Sequence, residues 1–180
     1  MLANKKIAVV YRSGSGFTKE YATWLSQELH CELLPGKTTK VSDLLKYDTI
    51  IYGGGLYAIG INGFDLIKKN YEQLKCKELI VFAVGASPVR EATIQAVRDV
   101  NIPEEMRSHI QFYYLRGGFN YKKLSPLNKV LMQIKKIQLK KMKNSDADAK
   151  GMLESYDHPL DFTNKKNLRP ILESLGQSYE

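Results

Sequence analysis

Five short apolar runs, each closed by glycine, proline or a polar turn and separated by helix-patterned chain, limit how this sequence can fold. They occupy residues 6–11 (Lys-Ile-Ala-Val-Val-Tyr), 31–34, 49–52, 78–84 and 110–115. The first and fourth are apolar without alternation, as expected of strands buried on both faces. Between them the apolar spacing changes to three and four residues. Tyr21, Ala22, Trp24, Leu25 and Leu29 predict a helix over 18–29. Further helical segments are expected at 42–45, 63–73 and 90–100, with one turn after Pro103, and then at 126–142 and 165–175. Strands joined by helical crossovers are parallel, with helices on both faces of the sheet. The third strand is expected to end at Gly53-Gly54-Gly55, and the fifth at Gly117-Gly118.

A length of 180 residues suits one domain, and 1–180 is read as a single unit. The polar connector at 144–160 is read as a loop inside it. No stretch approaches the roughly 18 apolar residues that span a bilayer, and the short run at 7–10 reads as a strand rather than a signal sequence. Cys31 and Cys76 form no metal-ligand or redox pattern, and His30, His109 and His158 are scattered, so no metal is expected. A cytoplasmic location follows as the expectation.

The chemistry concentrates where strands end. In open α/β sheets, ligands bind beyond the carboxyl ends of the strands. After the first strand stands Ser13-Gly14-Ser15-Gly16-Phe17-Thr18, opening the first helix. Glycines permit tight turns, hydroxyls add donors, and a helix N-terminus attracts anions, so this loop suits a phosphate. A Walker A loop is excluded because no Gly-Lys-Ser/Thr follows a suitable glycine. A dinucleotide fingerprint lacks its third glycine, since Lys19 stands there. A receiver-type fold needs an aspartate at the end of the third strand, where Gly53 lies. The second loop, with Gly54, Gly55, Leu56, Tyr57 and Ala58, lets backbone lie against a flat ring that Tyr57 would stack upon. The third, Val84-Gly85-Ala86, offers backbone amides; Arg116, Gly117, Gly118 and Phe119 close one side.

The pattern Ser-x-Ser-Gly-x-Thr at 13–18 resembles the phosphate loop of flavodoxins, and 50–57 and 82–87 are similar to their second and third flavin loops. The resemblance spans nearly the whole chain. It implies a flavodoxin-like three-layer α/β/α sandwich, with a five-stranded parallel sheet of order 2-1-3-4-5. It also implies FMN as a non-covalent cofactor held by the residues named above. The net charge of +8 departs from acidic flavodoxins, and the only tryptophan, Trp24, lies outside the second loop.

Residues 116–143 hold nine basic residues and no acid. With the Gly-Gly-Phe-Asn-Tyr-Lys-Lys stretch at 117–123, this inserted basic segment (about 117–143) looks like the subfamily that includes menaquinone-dependent protoporphyrinogen oxidases. In the expected helix at 126–142, Leu127, Val130, Leu131, Ile134 and Ile137 share a face, with lysines mostly elsewhere. That pattern fits packing on the sheet, and equally a peripheral contact with an anionic membrane or an acidic substrate. Nucleic acid is not expected, because the lysines come with no nucleic-acid module. Two functions remain open: a flavin-dependent oxidoreductase passing electrons to a quinone or similar acceptor, and a non-catalytic carrier between redox partner proteins.

Overall fold

The computed structural model describes residues 5–120 and 159–177. Strands β1 (Ile7–Arg12), β2 (Glu32–Pro35), β3 (Thr49–Tyr57), β5 (Glu78–Gly85) and β6 (Ile110–Arg116) form a parallel sheet of order β2-β1-β3-β5-β6. The short β4 (Gly60–Ile61) folds back antiparallel on the end of β3, so the main strands have the expected order 2-1-3-4-5. Helices α1 (Phe17–Glu28), α2 (Val41–Leu44), α3 (Asp65–Lys68), α4 (Tyr71–Leu74) and α5 (Glu91–Asn101) make the crossovers. Near the C-terminus a 3₁₀ turn (Lys165–Leu168) runs into α6 (Arg169–Ser174).

Alternate side chains of each strand enter two separate cores, as the pleat requires. Ala8, Val10, Ile50, Tyr52, Leu79, Val81 and Ala83 pack with Leu44, Ile67, Leu74 and Val97 from α2 to α5. Val9, Ile51, Ile80 and Phe82 face the other way, onto Tyr21, Ala22 and Leu25 of α1 and onto Leu168, Ile171 and Leu172. Complete burial of Phe82 (0% exposed) contributes about 1.5–3 kcal/mol by itself. The result is the three-layer α/β/α sandwich expected from the sequence.

Several boundaries differ from expectation. β3 does not stop at Gly53; it runs through all three glycines to Tyr57, paired with β1 up to Gly54 and with β5 up to Gly55. Ladder partners on both sides overcome the weak strand preference of glycine. Gly53 is also required sterically, since it sits opposite Phe82 and a Cβ there would strike the ring. The helix expected over 63–73 is two single turns, α3 and α4, broken at Asn70, whose side-chain amide donates to the Leu66 carbonyl at 2.8 Å. The fifth strand, β6, does stop before Gly117 as expected, and a short ribbon not foreseen follows it: β7 (Gly118–Phe119) pairs antiparallel with β8 (Leu160–Asp161). Most of the 117–143 segment, its helix at 126–142, and the connector up to residue 158 lie outside the described residues, as does His158.

Candidate functional site

Sheet order places the carboxyl ends of β1, β3, β5 and β6 side by side, so the four expected loops form one continuous rim. In the first, the Gly16 amide donates to Ser13 Oγ at 3.0 Å, closing a tight turn. Gly16 adopts φ +103°, a conformation that favours glycine, and α1 starts immediately after it. The first helical bond runs from the Glu20 amide to the Gly16 carbonyl at 3.0 Å, and no side chain caps the end. The amides of residues 17–19 therefore have no acceptor within the helix, beside the hydroxyls of Ser13, Ser15 and Thr18. Phe17 and Thr18 are buried. The Phe17 ring belongs to the core, so only its backbone is available to a ligand.

The second loop leans on the first. Gly55 faces Thr18 Oγ1, which would lie 3.1 Å from a Cβ at that position. Tyr57 reaches across so that its hydroxyl covers the place a Cβ on Gly14 would fill, while the residue stays 42% exposed. The half-buried Leu56 points the other way, its Cδ1 against Gly85. Ala58, at the hairpin corner between the paired residues Tyr57 and Gly60, takes φ +54°, a conformation costly for a residue with a Cβ.

What holds this hairpin is Asn101, at the end of α5, which sequence reasoning missed. Its Oδ1 accepts from the Ile61 amide at 2.7 Å, and its Nδ2 donates to the carbonyls of Ile59 at 2.8 Å and Val97 at 2.7 Å. The side chain is 9% exposed, so its polar atoms are paired inside the fold. A signal was present: Asn101 falls four residues after Val97, on the apolar face shared with Ile94.

At the third loop, Val84 is buried in the core and contributes backbone only. Gly85 lies opposite Arg116 in the ladder, and the Gly117 amide donates to its carbonyl at 2.8 Å. Ala86 is exposed. Tyr114 donates its hydroxyl to the Ser87 carbonyl at 3.0 Å; burial pushes its phenol above the ordinary range, which keeps it a neutral donor.

The fourth wall is built from distant chain. The Phe162 amide donates to the Gly117 carbonyl at 3.1 Å, and the Arg116 guanidinium lies 3.6 Å above the Phe162 ring. Gly117 and Gly118 are glycines because Val84, the Phe17 ring and the Leu160 carbonyl take the space a Cβ would need. Tyr21 ties the wall to α1: its buried hydroxyl donates to the Arg116 carbonyl at 2.6 Å and accepts from the Asn164 amide at 3.2 Å and Asn167 Nδ2 at 2.7 Å. Burial raises its pKa, which suits a phenol that must keep its proton.

Such a rim suits a ligand with a phosphate at one end and a flat ring at the other. Free amides and hydroxyls at the start of α1 match a phosphate. At the other end the strand ends at 54–55, 85 and 117–118 supply backbone groups, and the exposed Tyr57, whose hydroxyl lies over Gly14, supplies an aromatic face for a planar ring. Phosphorylated flavin fits that donor set. Among the described residues no group of His, Cys, Asp and Glu could hold a metal ion, and no helix is long and apolar enough to cross a membrane. A separate groove of about 500 Å³ runs along the free edge of β2, lined by Glu32, Leu34, Thr38, Lys46 and Tyr47 among others, and shares no residue with the rim.

A family model described as the flavodoxin domain matches residues 8–148. No curated protein matches the chain. Similar solved structures include the Trp repressor binding protein of Bacillus subtilis, 20% identical, covering 62% of this chain and 83% of that one, TM-score 0.46. Another is oxidised flavodoxin 1 of Bacillus cereus, 19% identical, covering 67% and 86%, TM-score 0.45. The two-electron reduced flavodoxin of Megasphaera elsdenii is 17% identical, covering 61% and 84%, TM-score 0.42. With a family match over most of its length and the sheet order 2-1-3-4-5, the chain belongs to the flavodoxin domain family.

Proposed function

We propose that this protein binds FMN non-covalently and works in electron transfer. The observation that carries the reading is the uncapped start of α1, with its hydroxyl-rich turn, standing beside the glycine-lined ends of β3 and β5. FMN, when bound, supplies the redox chemistry. The chain's own residues do the rest. Ser13, Ser15, Thr18 and the loop amides hold the phosphate, and Gly14 and Gly16 let the backbone wrap it. Gly54, Gly55, Leu56, Tyr57 and Ala58 flank the ring, with Tyr57 stacking on one face. Backbone at 84–86 meets its polar edge, and 116–119 close the side. Asn101 and Tyr21 act through these groups as positioning residues.

Within that reading, we favour an oxidoreductase of the protoporphyrinogen-oxidase type, transferring electrons from an organic substrate to a quinone. Its support is the basic sequence that follows β6, and the same basic residues motivate a proposed contact with anionic membrane. The second reading is a carrier between protein partners. Its support is that residues 13–18, 54–58, 84–86 and 116–119 carry no carboxylate or histidine to act as acid or base.

Loading with FMN and following the visible spectrum tests the shared reading; protein that stays colourless refutes it. Anaerobic turnover of protoporphyrinogen IX with a menaquinone analogue separates the two functions. Turnover supports the oxidoreductase. No turnover, together with rapid reduction by a flavodoxin reductase, supports the carrier.

A further inference from the structure

We propose that Arg116, which pairs with no carboxylate among the described residues, is a cation held at the ring end of the site, and that it favours the reduced, negatively charged flavin over the neutral oxidised one. The inference rests on the FMN reading and assigns that site a direction of redox bias.

The backbone here is anchored at the Arg116 carbonyl, which accepts from Tyr21, itself bound to Asn164 and Asn167, and two contacts hold the Arg116 side chain. Its guanidinium plane lies 3.6 Å over Phe162, and its Nε points to the Ala86 carbonyl at 3.5 Å. The charge therefore sits beside the third loop, whose backbone is assigned to the polar edge of the ring. Several other basic side chains do pair with acids: Lys5 with Glu78, Lys69 with Asp65, Arg107 with Asp99, Arg169 with Glu173. Among the described residues no carboxylate pairs with Arg116. The Asp161 carboxylate, on the adjoining β8, accepts instead from the amide and hydroxyl of Thr163, at 2.9 Å and 2.6 Å. Guanidinium has five donors and carries a positive charge, and its one weak bond to Ala86 leaves the other donors without a partner among the described residues.

Two electrons and one proton convert neutral oxidised flavin into a monoanion, with the added charge on the pyrimidine edge. A cation fixed near that edge interacts with the product and not with the reactant. At a few ångströms, with screening between that of water and protein, this changes the ratio of the two affinities by about tenfold. For a two-electron couple a tenfold ratio equals about 30 mV of midpoint potential. Oxidised binding changes much less, because the oxidised ring is neutral.

The test uses the full chain, with Arg116→Gln and Arg116→Lys, dithionite as reductant, and a dye of known potential as reference. The expected result is a midpoint about 30 mV lower in Arg116→Gln, a tenfold loss of preference for reduced FMN, with Arg116→Lys within about 10 mV of wild type. A purely structural role for Arg116 would weaken both redox states equally and leave the midpoint unmoved; an unmoved midpoint overturns the inference. If Arg116→Gln holds no FMN, Arg116→Lys decides: a retained midpoint supports the role of charge, and a tenfold fall overturns it. If wild type binds no FMN, the FMN reading fails and takes this inference with it. FMN-bound wild type with an unmoved Arg116→Gln midpoint removes this inference alone.

Discussion

Replacing Asn101 with alanine tests how the ring-side hairpin is held. The substitution removes an acceptor 2.7 Å from the Ile61 amide and a donor 2.8 Å from the Ile59 carbonyl. It also removes the bond to the Val97 carbonyl, which is the natural acceptor of the Asn101 backbone amide in α5 and so is not orphaned. Ile61 is 7% exposed and Asn101 9%, so water does not easily replace the lost partners. Each group left unpaired costs about 1–3 kcal/mol, and the two together give a loss of about 3 kcal/mol when Ile59, at the surface, recovers part of its share. For a chain of 180 residues this lowers Tm by about 6–12 °C. Urea unfolding followed by far-UV circular dichroism gives the free energy, and an unchanged m-value shows that the unfolded state is not the cause. The control is Gln95→Ala on the exposed side of the same helix, where only a surface bond to Glu91 is lost and the change stays within about 0.5 kcal/mol. FMN binding should weaken in Asn101→Ala, because Leu56 to Ala58 lose their support. A destabilisation no larger than that of Gln95→Ala would refute the clamp.

Four further outcomes follow from other contacts in the fold. Tyr21→Phe removes one hydroxyl and strands the Arg116 carbonyl, the Asn164 amide and Asn167 Nδ2; a loss of about 1–3 kcal/mol is expected in urea unfolding. Gly53→Ala places a methyl in the Phe82 ring, and the overpacking should cost about 1–3 kcal/mol or more by the same assay. Burial pushes the Cys31 thiol up to about 11, so its folded pKa lies above its unfolded one and the buried thiol favours folding only while the unfolded chain also keeps its proton. Stability should therefore fall between about pH 9 and 11, by about 1–2 kcal/mol after allowing for partial exposure, and the fall should be smaller in Cys31→Ala. At pH 8 a thiol reagent should label the exposed Cys76 quickly and Cys31 slowly.

The sheet was legible because its signal is local. Runs such as Val9-Val10 and Ile50-Ile51 are apolar on both faces, and alternate members do enter opposite cores. The tight turn before α1 was legible for the same reason: Ser13, Gly16 and the start of α1 lie within a few residues of one another. What escaped notice depends on partners far apart in sequence. β3 continues through Gly53, Gly54 and Gly55 because ladders form on both sides, and glycine's own preference gives no hint of it. The β7–β8 ribbon joins Gly118 to Asp161, and the Tyr21 bonds reach Arg116 and Asn167, separations that no spacing rule reads. The helix expected over 63–73 failed locally instead, at Asn70, where a side chain competes with the backbone for the Leu66 carbonyl.

The central claim is that α1 and its turn hold the phosphate of a flavin. Titration of the purified, flavin-free chain with FMN and separately with riboflavin, followed by flavin fluorescence, tests it most directly. Riboflavin has the same ring and lacks the phosphate. The expected result is saturable one-to-one binding of FMN, with riboflavin at least about a hundredfold weaker, since each hydrogen bond to a charged group is worth about 1.5–3 kcal/mol. Equal affinity for the two, or no binding of either, would contradict the claim.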